Sequence, residues 1–135
     1  MAFTHLHVHS MYSTFDGMVR IEELFRRAQE LGMEGVALTD HGRMYGVPEF
    51  LSCAKKYPDI KPIVGCELYI CDGPHVKHDR TSESTYHLLV LAKNLTGYRN
   101  LCRLVSLANT GVALPFCTKV PISTEFHRLP LKIVQ

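Results

Sequence analysis

Histidine is the residue type that stands out in this sequence. Eight of the 135 residues are histidines, and three of them fall within the first nine positions. His7 and His9 lie two residues apart in a segment that alternates apolar and polar residues, so their side chains point the same way if the segment is a strand. Two imidazoles on one face can chelate a single metal ion. A lone His-x-His pair also fits a polar strand face that meets solvent, so other residues must decide.

Acidic residues at three other places support a metal site. Glu67 lies within an apolar run, and a glutamate is almost never fully buried without a partner. Asp16 lies in a polar turn after the first histidines, and Asp40-His41-Gly42 follows a second apolar run. The last of these segments alone is also compatible with a turn closed by an Asx-type side-chain hydrogen bond. The candidates therefore matter as a combination.

The mixture of imidazole and carboxylate groups indicates which chemistry is available. Such ligands suit zinc, manganese or iron better than magnesium, which prefers oxygen ligands alone. A carboxylate such as Glu67 can bridge two ions about 3.5–4 Å apart. Ions held in this way polarise a phosphoryl oxygen and lower the pKa of a bound water to about 7, which favours attack of hydroxide on a phosphoester. Metal-assisted phosphoester hydrolysis is therefore the reaction that these residue types predict.

Strands and helices must alternate to hold these groups. Apolar periodicity predicts four strands and three helices, with a polar loop between the third and fourth strands. The strands are Phe3–His9, Gly35–Thr39, Pro62–Ile70 and His87–Ala92, and the helices are Arg20–Leu31, Val47–Tyr57 and Gly97–Ala108. This alternation predicts right-handed βαβ units and a parallel sheet, whose carboxyl edge gathers the candidates. His87 is the exception, since it begins its strand and lies at the opposite end by this pattern.

Length limits how much of a barrel these elements can form. A β/α barrel takes about 250 residues, so 135 residues supply about half of one and leave a strand edge open after the fourth strand. We therefore predict an α/β fold, a partial barrel of about four parallel-type strands and three helices. Residues 112–135 contain three prolines and no clear periodicity, which predicts an irregular tail.

The composition limits the cellular compartments and the classes of partner that we expect for this chain. The 15 basic and 13 acidic residues leave a net charge of +2, which by itself indicates no nucleic-acid partner. No run of about 18 apolar residues exists, so we expect no membrane span, and we expect no secretory signal after Met1. Five cysteines without a Cys-x-x-Cys pair fit neither a disulfide framework nor a zinc ribbon, which favours a reducing, cytoplasmic setting.

Several of these segments together resemble the PHP (polymerase and histidinol phosphatase) domain. The similarity covers about residues 3–111, and it is specifically to the amino-terminal region of the alpha subunits of bacterial DNA polymerase III. The matching segments are His5–Ser10, Tyr12-Ser13 with Asp16-Gly17, Ala37–Gly42 with Met44–Gly46, Gly65–Tyr69, His87–Asn94 and Gly97–Leu101.

The resemblance implies a distorted β/α barrel that holds up to three metal ions, usually zinc, manganese or iron, at its carboxyl end. Carried over by motif, the implied metal ligands are His7, His9, Asp16, His41, Glu67 as the bridging carboxylate, and His87. His5 and Asp40 are neighbours that can support the ligands. Family members hydrolyse phosphoesters, and in some polymerases the domain is a metal-dependent 3′–5′ exonuclease. In others the ligands have decayed, and the domain stabilises the polymerase or binds a proofreading subunit. The intact early ligands here favour the metal-binding branch.

Parts of the family pattern do not occur in this sequence. The later strands that supply another histidine and an Asp-x-His pair cannot be placed, and the polymerase regions are absent. We therefore interpret residues 1–111 as the amino-terminal part of a PHP domain from a DNA-directed DNA polymerase, with DNA and other replisome subunits as partners. Two alternatives stay open. One is a free-standing metal-dependent phosphoesterase, completed by self-association through the open barrel edge, and the other is an inactive truncated module with a structural role.

Overall fold

The computed structural model describes residues 3–71, 85–110, 119–121 and 131–134. In these ranges the chain forms three helices and five strands. The helices are α1 (Ile21–Glu30), α2 (Val47–Ala54) and α3 (Leu95–Thr110), and the strands are β1 (Gly35–Leu38), β2 (Lys61–Cys71), β3 (Thr85–Ala92), β4 (Lys119–Pro121) and β5 (Leu131–Val134). The strands build one sheet in the order β1-β2-β3-β5, and β4 pairs with the carboxyl-terminal part of β2. The fold is therefore mixed α/β.

The helices follow the predicted pattern. In α1 the buried residues Ile21, Phe25 and Ala28 recur at helical spacing and face the core. Gly32, in the left-handed region at φ +63°, ends this helix, and a residue without a Cβ adopts that conformation easily. Helix α2 begins at the predicted residue, with a proline in its first turn, and ends at Ala54, earlier than predicted. Helix α3 is longer than predicted at both ends.

The first predicted strand, Phe3–His9, is not a regular strand. It runs parallel to β1 and is joined to it by an isolated bridge between His5 and Val36. The N–H of Val8 donates to the side-chain hydroxyl oxygen of Thr39, at 2.8 Å, instead of to a backbone carbonyl. This side-chain bond interrupts the ladder, so the segment is extended without being a full strand.

The prediction of parallel strands throughout is corrected by the structure. Strands β1 and β2 are parallel, but β2 pairs antiparallel with β3, and β3 pairs antiparallel with β5. A parallel return needs a crossover connection, most often a helix, whereas the sequence predicts only a polar loop between β2 and β3. Most of that loop, residues 72–84, lies outside the described residues. Antiparallel pairing sets Tyr69 near the end of β2 opposite His87 near the start of β3, so His87 lies at the same sheet edge as the other candidates.

Two short strands lie within residues 112–135, for which the sequence predicts no regular structure. Strand β4 pairs in parallel with Tyr69–Cys71, and β5 pairs antiparallel with Leu89–Ala92. Both lie against longer strands, so their pairing depends on tertiary contact more than on a local pattern. The rest of this segment lies outside the described residues.

Two apolar clusters form the core. One packs α1 and α2 against β1 and includes Phe25 and Phe50, and the other packs α3 against β2 and β3 and includes Cys66 and Leu101. Cys66 is fully buried, which confirms the prediction that it faces the core while Glu67 faces the other way. No helix in the described ranges is long and apolar enough to cross a membrane.

Candidate metal centre

Glu67 is the residue on which the candidate ligands converge. This carboxylate lies on β2 and is buried, with 4% of its surface exposed. One of its oxygens, Oε2, lies 2.6 Å from Nε2 of His7 and 2.6 Å from Nε2 of His9. The other oxygen, Oε1, lies 2.6 Å from Nδ1 of His87. The partners that a buried glutamate requires are therefore three imidazoles.

Asp16 and His41 complete the cluster. Oδ2 of Asp16 lies 2.7 Å from Nδ1 of His9 and also forms a hydrogen bond with Nε2 of His41. Nδ1 of His41 lies 3.6 Å from Oε2 of Glu67, which is beyond hydrogen-bonding distance. The rings of His9 and His41 have their centroids 4.0 Å apart. The structure thus brings together all six residues that the sequence predicts as ligands, and their role as ligands stays a prediction.

The cluster divides into three sets of three residues, and within each set the donor atoms lie within 4.8 Å of one another. The sets are His7, His9 and Glu67; His9, Asp16 and His41; and His41, Glu67 and His87. Any two sets share one residue, so the three positions are neighbours. Each combines imidazole with carboxylate, which is a donor set that suits a divalent metal ion.

Two histidines show that the cluster fits a cation. Both ring nitrogens of His9 face a carboxylate, Nε2 facing Glu67 and Nδ1 facing Asp16. A neutral imidazole has only one N–H group, so it can donate to only one of them. Among the described residues, Nδ1 of His41 is the one buried side-chain polar atom without a hydrogen-bond partner. A metal ion would use the nitrogen lone pairs that no donor satisfies.

The spacing of the first two imidazoles also fits one shared ion. Nε2 of His7 and Nε2 of His9 lie 3.1 Å apart. Two nitrogens at the usual zinc distance of about 2.0–2.1 Å in a tetrahedral site are about 3.3 Å apart. A small movement of either ring is therefore sufficient for both nitrogens to bind the same ion.

The two acidic residues of the cluster are held in the ionised form. Burial on its own raises the pKa of Glu67, but the hydrogen bonds and charges of the four surrounding histidines together outweigh it, so the pKa lies below the usual glutamate value. The hydrogen bond with His41 lowers the pKa of Asp16, and the contact with His9 adds to this effect. Ionised carboxylates are the form that binds metal ions.

Asp40 holds the segment that carries some of the candidate ligands, although its own side chain belongs to none of the three sets. It is fully buried and accepts hydrogen bonds from the N–H and hydroxyl groups of Ser10 and from the hydroxyl of Ser13, at 2.7–3.0 Å. The hydroxyl of Ser13 in turn accepts the N–H of His41 at 3.1 Å. These bonds fix the turn that leads to Asp16.

Backbone pairing ties the connection after β1 to β2. The N–H of Glu67 donates to the carbonyl of Asp40 at 3.1 Å, and the N–H of Gly42 donates to the carbonyl of Glu67 at 2.8 Å. Gly42 has φ +57°, a left-handed conformation that residues with side chains rarely adopt. The Asp-His-Gly segment is therefore a connection that sets His41 beside Glu67.

Tyr69 is a member of the site to which the sequence reasoning gave no role. It lies two residues after Glu67 on β2, so both side chains are on the same face. Its ring stacks on His41 with centroids 5.7 Å apart and meets His87 edge to face at 4.9 Å. Burial raises the pKa of the Tyr69 phenol, with the charge of Glu67 adding to the effect and that of Arg43 opposing it. The two-residue spacing from Glu67 is the signal that identifies it.

His5 lies beside the cluster and outside the three sets. Its ring packs edge-on against Phe3 with centroids 4.8 Å apart. It lines a cavity of about 720 Å³ that also borders Glu67 and His87 and includes the apolar side chain of Leu88. A cavity of this size falls in the range of small-molecule sites, and it leads directly to the cluster.

Comparison with known proteins assigns the chain to a family. The chain matches the family model of the PHP domain over residues 5–125. It is 50% identical over 113 residues to the DNA polymerase III subunit alpha of Treponema pallidum, an alignment that covers 80% of this chain. The same subunit of Chlamydia pneumoniae is 45% identical over 113 residues, covering 82% of this chain. The chain spans only 9% of the length of each of these relatives.

A solved structure agrees with the fold. A protein from Bifidobacterium adolescentis, assigned as a metal-dependent phosphoesterase, superposes with a TM-score of 0.52 at 21% identity. The superposition covers 77% of this chain and 34% of that protein, and at this identity it concerns the fold alone. The family model covers most of the chain, including all six clustered residues. The chain belongs to the PHP domain family.

Proposed function

We propose that this chain is the metal-binding PHP part of a DNA polymerase III alpha subunit, and that its histidine cluster hydrolyses phosphoesters with divalent metal ions. The observation that supports this most strongly is His9, whose two ring nitrogens each face a different carboxylate. A polar surface or a simple ion pair needs only one such contact. The polymerase context is supported by relatives at 50% and 45% identity that are DNA polymerase subunits.

Zinc, manganese and iron are the ions that the donor set favours, because it contains more imidazoles than carboxylates. The residues that would hold them are His7, His9, Asp16, His41, Glu67 and His87. When bound, such ions activate water for attack and stabilise the negative charge that develops on the phosphoryl group. The exonuclease form of this chemistry is the removal of nucleotides from the 3′ end of a DNA strand.

The chain itself contributes an ordered frame for this reaction. Backbone bonds to Asp40 and Gly42 fix Glu67, whose two oxygens face different histidines. Tyr69 packs on His41 and limits the rotation of its ring. The cavity beside Glu67 gives a phosphoester room to approach. Groups that are positioned before the substrate arrives do not have to reorganise during the reaction.

The same proposal also includes the complete domain to which this chain would belong, and its partners. The mixed sheet would be part of a distorted β/α barrel, with residues 1–111 as its amino-terminal portion and strands β4 and β5 extending the sheet beyond them. The superposition covers 34% of the phosphoesterase structure, which supports the proposal that this chain is one portion of such a domain. In this arrangement the partners are DNA and other replisome subunits in the cytoplasm.

Metal analysis of the chain purified without chelators tests the proposal. We expect zinc, manganese or iron in the wild-type chain and at least about tenfold less in a His7→Ala/His9→Ala variant, because two of the three sets lose ligands. Glu23→Ala/Glu34→Ala is the control, since it removes two exposed polar side chains that belong to none of the sets. Equal metal content in the wild-type chain and the double variant would contradict the proposal.

A hydrolysis assay separates this proposal from the inactive structural module. We expect turnover of bis(p-nitrophenyl) phosphate that depends on added manganese or zinc and stops with EDTA. Folded, metal-loaded protein without turnover would favour the structural module. Light scattering during size-exclusion chromatography addresses the free-standing alternative, which requires that activity follow a self-associated species.

A further inference from the structure

A second polar cluster joins the loop after His41 to the end of α3, and it consists of Arg43, Tyr45 and Asn109. One guanidinium nitrogen of Arg43, Nη1, donates to the phenol oxygen of Tyr45 at 3.0 Å and to the side-chain carbonyl of Asn109 at 3.3 Å. The side-chain amide of Asn109 donates to the carbonyl of Gly42 at 3.4 Å and to a carbonyl of α3 at 2.7 Å. Arg43 is therefore held between its own loop and the end of α3.

This cluster is tied to the metal centre through the backbone. Gly42, which accepts the amide of Asn109, also donates its N–H to the carbonyl of Glu67 at 2.8 Å. Arg43 follows His41 by two residues, and its carbonyl oxygen lies 3.5 Å from the sulfur of Cys66, the residue before Glu67 on β2. Arg43 is thus a fixed positive charge at the edge of the site.

Arg43 keeps hydrogen-bond donors for a ligand. A guanidinium has five N–H groups, and within the part of the chain that the structure describes only Nη1 of Arg43 has partners. Its Nε and Nη2 groups form the planar edge that binds two oxygens of a phosphate at once. Because Tyr45 and Asn109 already order the guanidinium, little rotamer freedom is lost when a phosphate binds.

Tyr45 presents an exposed aromatic ring beside this cation. The side chain is 64% exposed, and the guanidinium carbon of Arg43 lies 5.5 Å from the ring centroid. Proteins that bind single-stranded nucleic acid combine positive side chains that contact the backbone with aromatic rings on which bases stack. The two residues offer both kinds of contact next to the cluster.

We propose that Arg43 and Tyr45 form a binding element for single-stranded nucleic acid at the edge of the metal centre. Arg43 binds a backbone phosphate other than the one that is cleaved, and Tyr45 stacks on a base. The element deepens the proposed function, on which it rests, by selecting a polynucleotide over a small phosphate ester. A polynucleotide offers both a second backbone phosphate and a base, whereas a small phosphate ester without a base, such as a sugar phosphate, offers neither.

Fluorescence anisotropy of a labelled oligothymidylate of about ten nucleotides tests the role of Arg43, in manganese and again in EDTA. The slope of log Kd against log salt concentration should be smaller by about 0.7 in Arg43→Gln than in the wild type. This difference is the value expected for the loss of one phosphate contact on a single strand. Arg43→Lys keeps the charge and should keep the slope. An unchanged slope in Arg43→Gln, or a wild-type chain that binds no oligothymidylate, would overturn the proposal.

The same assay tests the role of Tyr45. Tyr45→Ala should weaken binding about tenfold, within the range for one stacked base, without changing the salt slope. Tyr45→Phe keeps the ring and should retain most of the affinity. The matched controls are Arg26→Gln on α1 and Tyr86→Ala on β3, which remove an exposed charge and an exposed ring elsewhere. Equal affinities of Tyr45→Ala and Tyr86→Ala would overturn the stacking role.

Metal analysis of the same preparations separates this proposal from the proposed function. A wild-type chain that contains metal, with an Arg43→Gln variant of unchanged salt slope, would remove the nucleic-acid element and leave the metal centre standing. Binding that depends on Arg43 in a chain that takes up no metal would contradict the proposed function alone.

Discussion

Asp40 and Glu67 are two buried carboxylates joined by a backbone hydrogen bond, yet their side chains have opposite surroundings. The Asp40 carboxylate accepts bonds from one backbone N–H group and two hydroxyls, those of Ser10 and Ser13. The Glu67 carboxylate is surrounded by imidazole nitrogens. One sequence thus buries two acids a short distance apart along the sheet and surrounds them with different partners.

The surroundings of Asp40 and Glu67 differ in whether the groups around each carboxylate find all their hydrogen-bond partners within the protein. The hydroxyls of Ser10 and Ser13 each donate to Asp40 and accept a backbone N–H group, so each hydroxyl has a partner both as donor and as acceptor. Around Glu67, His9 faces two carboxylates with one N–H group when neutral, and Nδ1 of His41 has no partner. We therefore expect Asp40 to stabilise the fold and Glu67 to bind metal.

The largest expected effect is on stability, at Asp40. Asp40→Ala should lower the free energy of unfolding by about 3–5 kcal/mol, with or without metal, because it leaves the buried donors of Ser10 and Ser13 unsatisfied. Urea unfolding followed by circular dichroism measures this loss. Asp59→Ala, at an exposed acid, is the control and should change stability by less than about 0.5 kcal/mol. A loss of stability seen only in metal-loaded protein would contradict the assignment of Asp40 to the fold and of Glu67 to metal binding.

The second effect is on metal affinity, at Glu67. Glu67→Gln should weaken the binding of manganese or zinc by at least about 100-fold, because the neutral amide removes the charge shared by the sets that contain His7 and His87. Its effect on the unfolding of metal-free protein should be smaller than that of Asp40→Ala. Isothermal titration calorimetry measures the affinity, with Glu34→Gln at an exposed site as control. Wild-type affinity in Glu67→Gln would show that this acid is also structural.

A smaller effect is expected at Tyr69, which packs on two histidines of the cluster. Tyr69→Leu should weaken metal binding about tenfold, since His41 and His87 lose the ring that limits their rotation. Tyr69→Phe keeps the ring and should bind metal as the wild type does. The same calorimetric titration measures both variants. Equal loss in the two variants would assign the effect to the hydroxyl instead of the ring.

The smallest expected effect concerns the other face of β2. Burial raises the pKa of the Cys66 thiol to about 12, and its sulfur lies 3.3 Å from the carbonyl of Asp40. Iodoacetamide at about pH 8 should therefore modify the partly exposed Cys102 and leave Cys66 unmodified in native protein. Mass spectrometry of native and urea-denatured samples measures the modification. Labelling of Cys66 after EDTA treatment would show that its protection depends on the metal centre.

The candidate ligands could be predicted because their chemistry is rare and strand geometry fixes their direction. Alternation sets His7 and His9 on one face, and a glutamate in an apolar strand demands partners. The direction of β3 could not be predicted, because it depends on strand pairing and on a connection that has no periodic pattern. That direction is what brings His87 to the site.

The hydrogen bonds that hold the candidate ligands in place could not be predicted, for a different reason. Ser10 and Ser13 are polar residues in a turn, and nothing in their spacing shows that they saturate Asp40. The first predicted strand is irregular because the N–H of Val8 donates to the side-chain hydroxyl of Thr39 instead of to a backbone carbonyl. Local strand propensity does not predict this bond, because Thr39 is distant in the sequence. Sequence patterns therefore predict which groups gather at the candidate site better than they predict which groups hold them in place.

Thermal unfolding with and without manganese or zinc tests the metal centre most directly. An ion that binds only the folded chain raises its apparent stability by mass action, by about 2.7 kcal/mol at about 100 times the Kd. We predict a rise of several degrees in the Tm of the wild-type chain, and little or none in Glu67→Gln or His7→Ala/His9→Ala. A wild-type Tm that saturating metal leaves unchanged would contradict the metal centre and the function proposed for it.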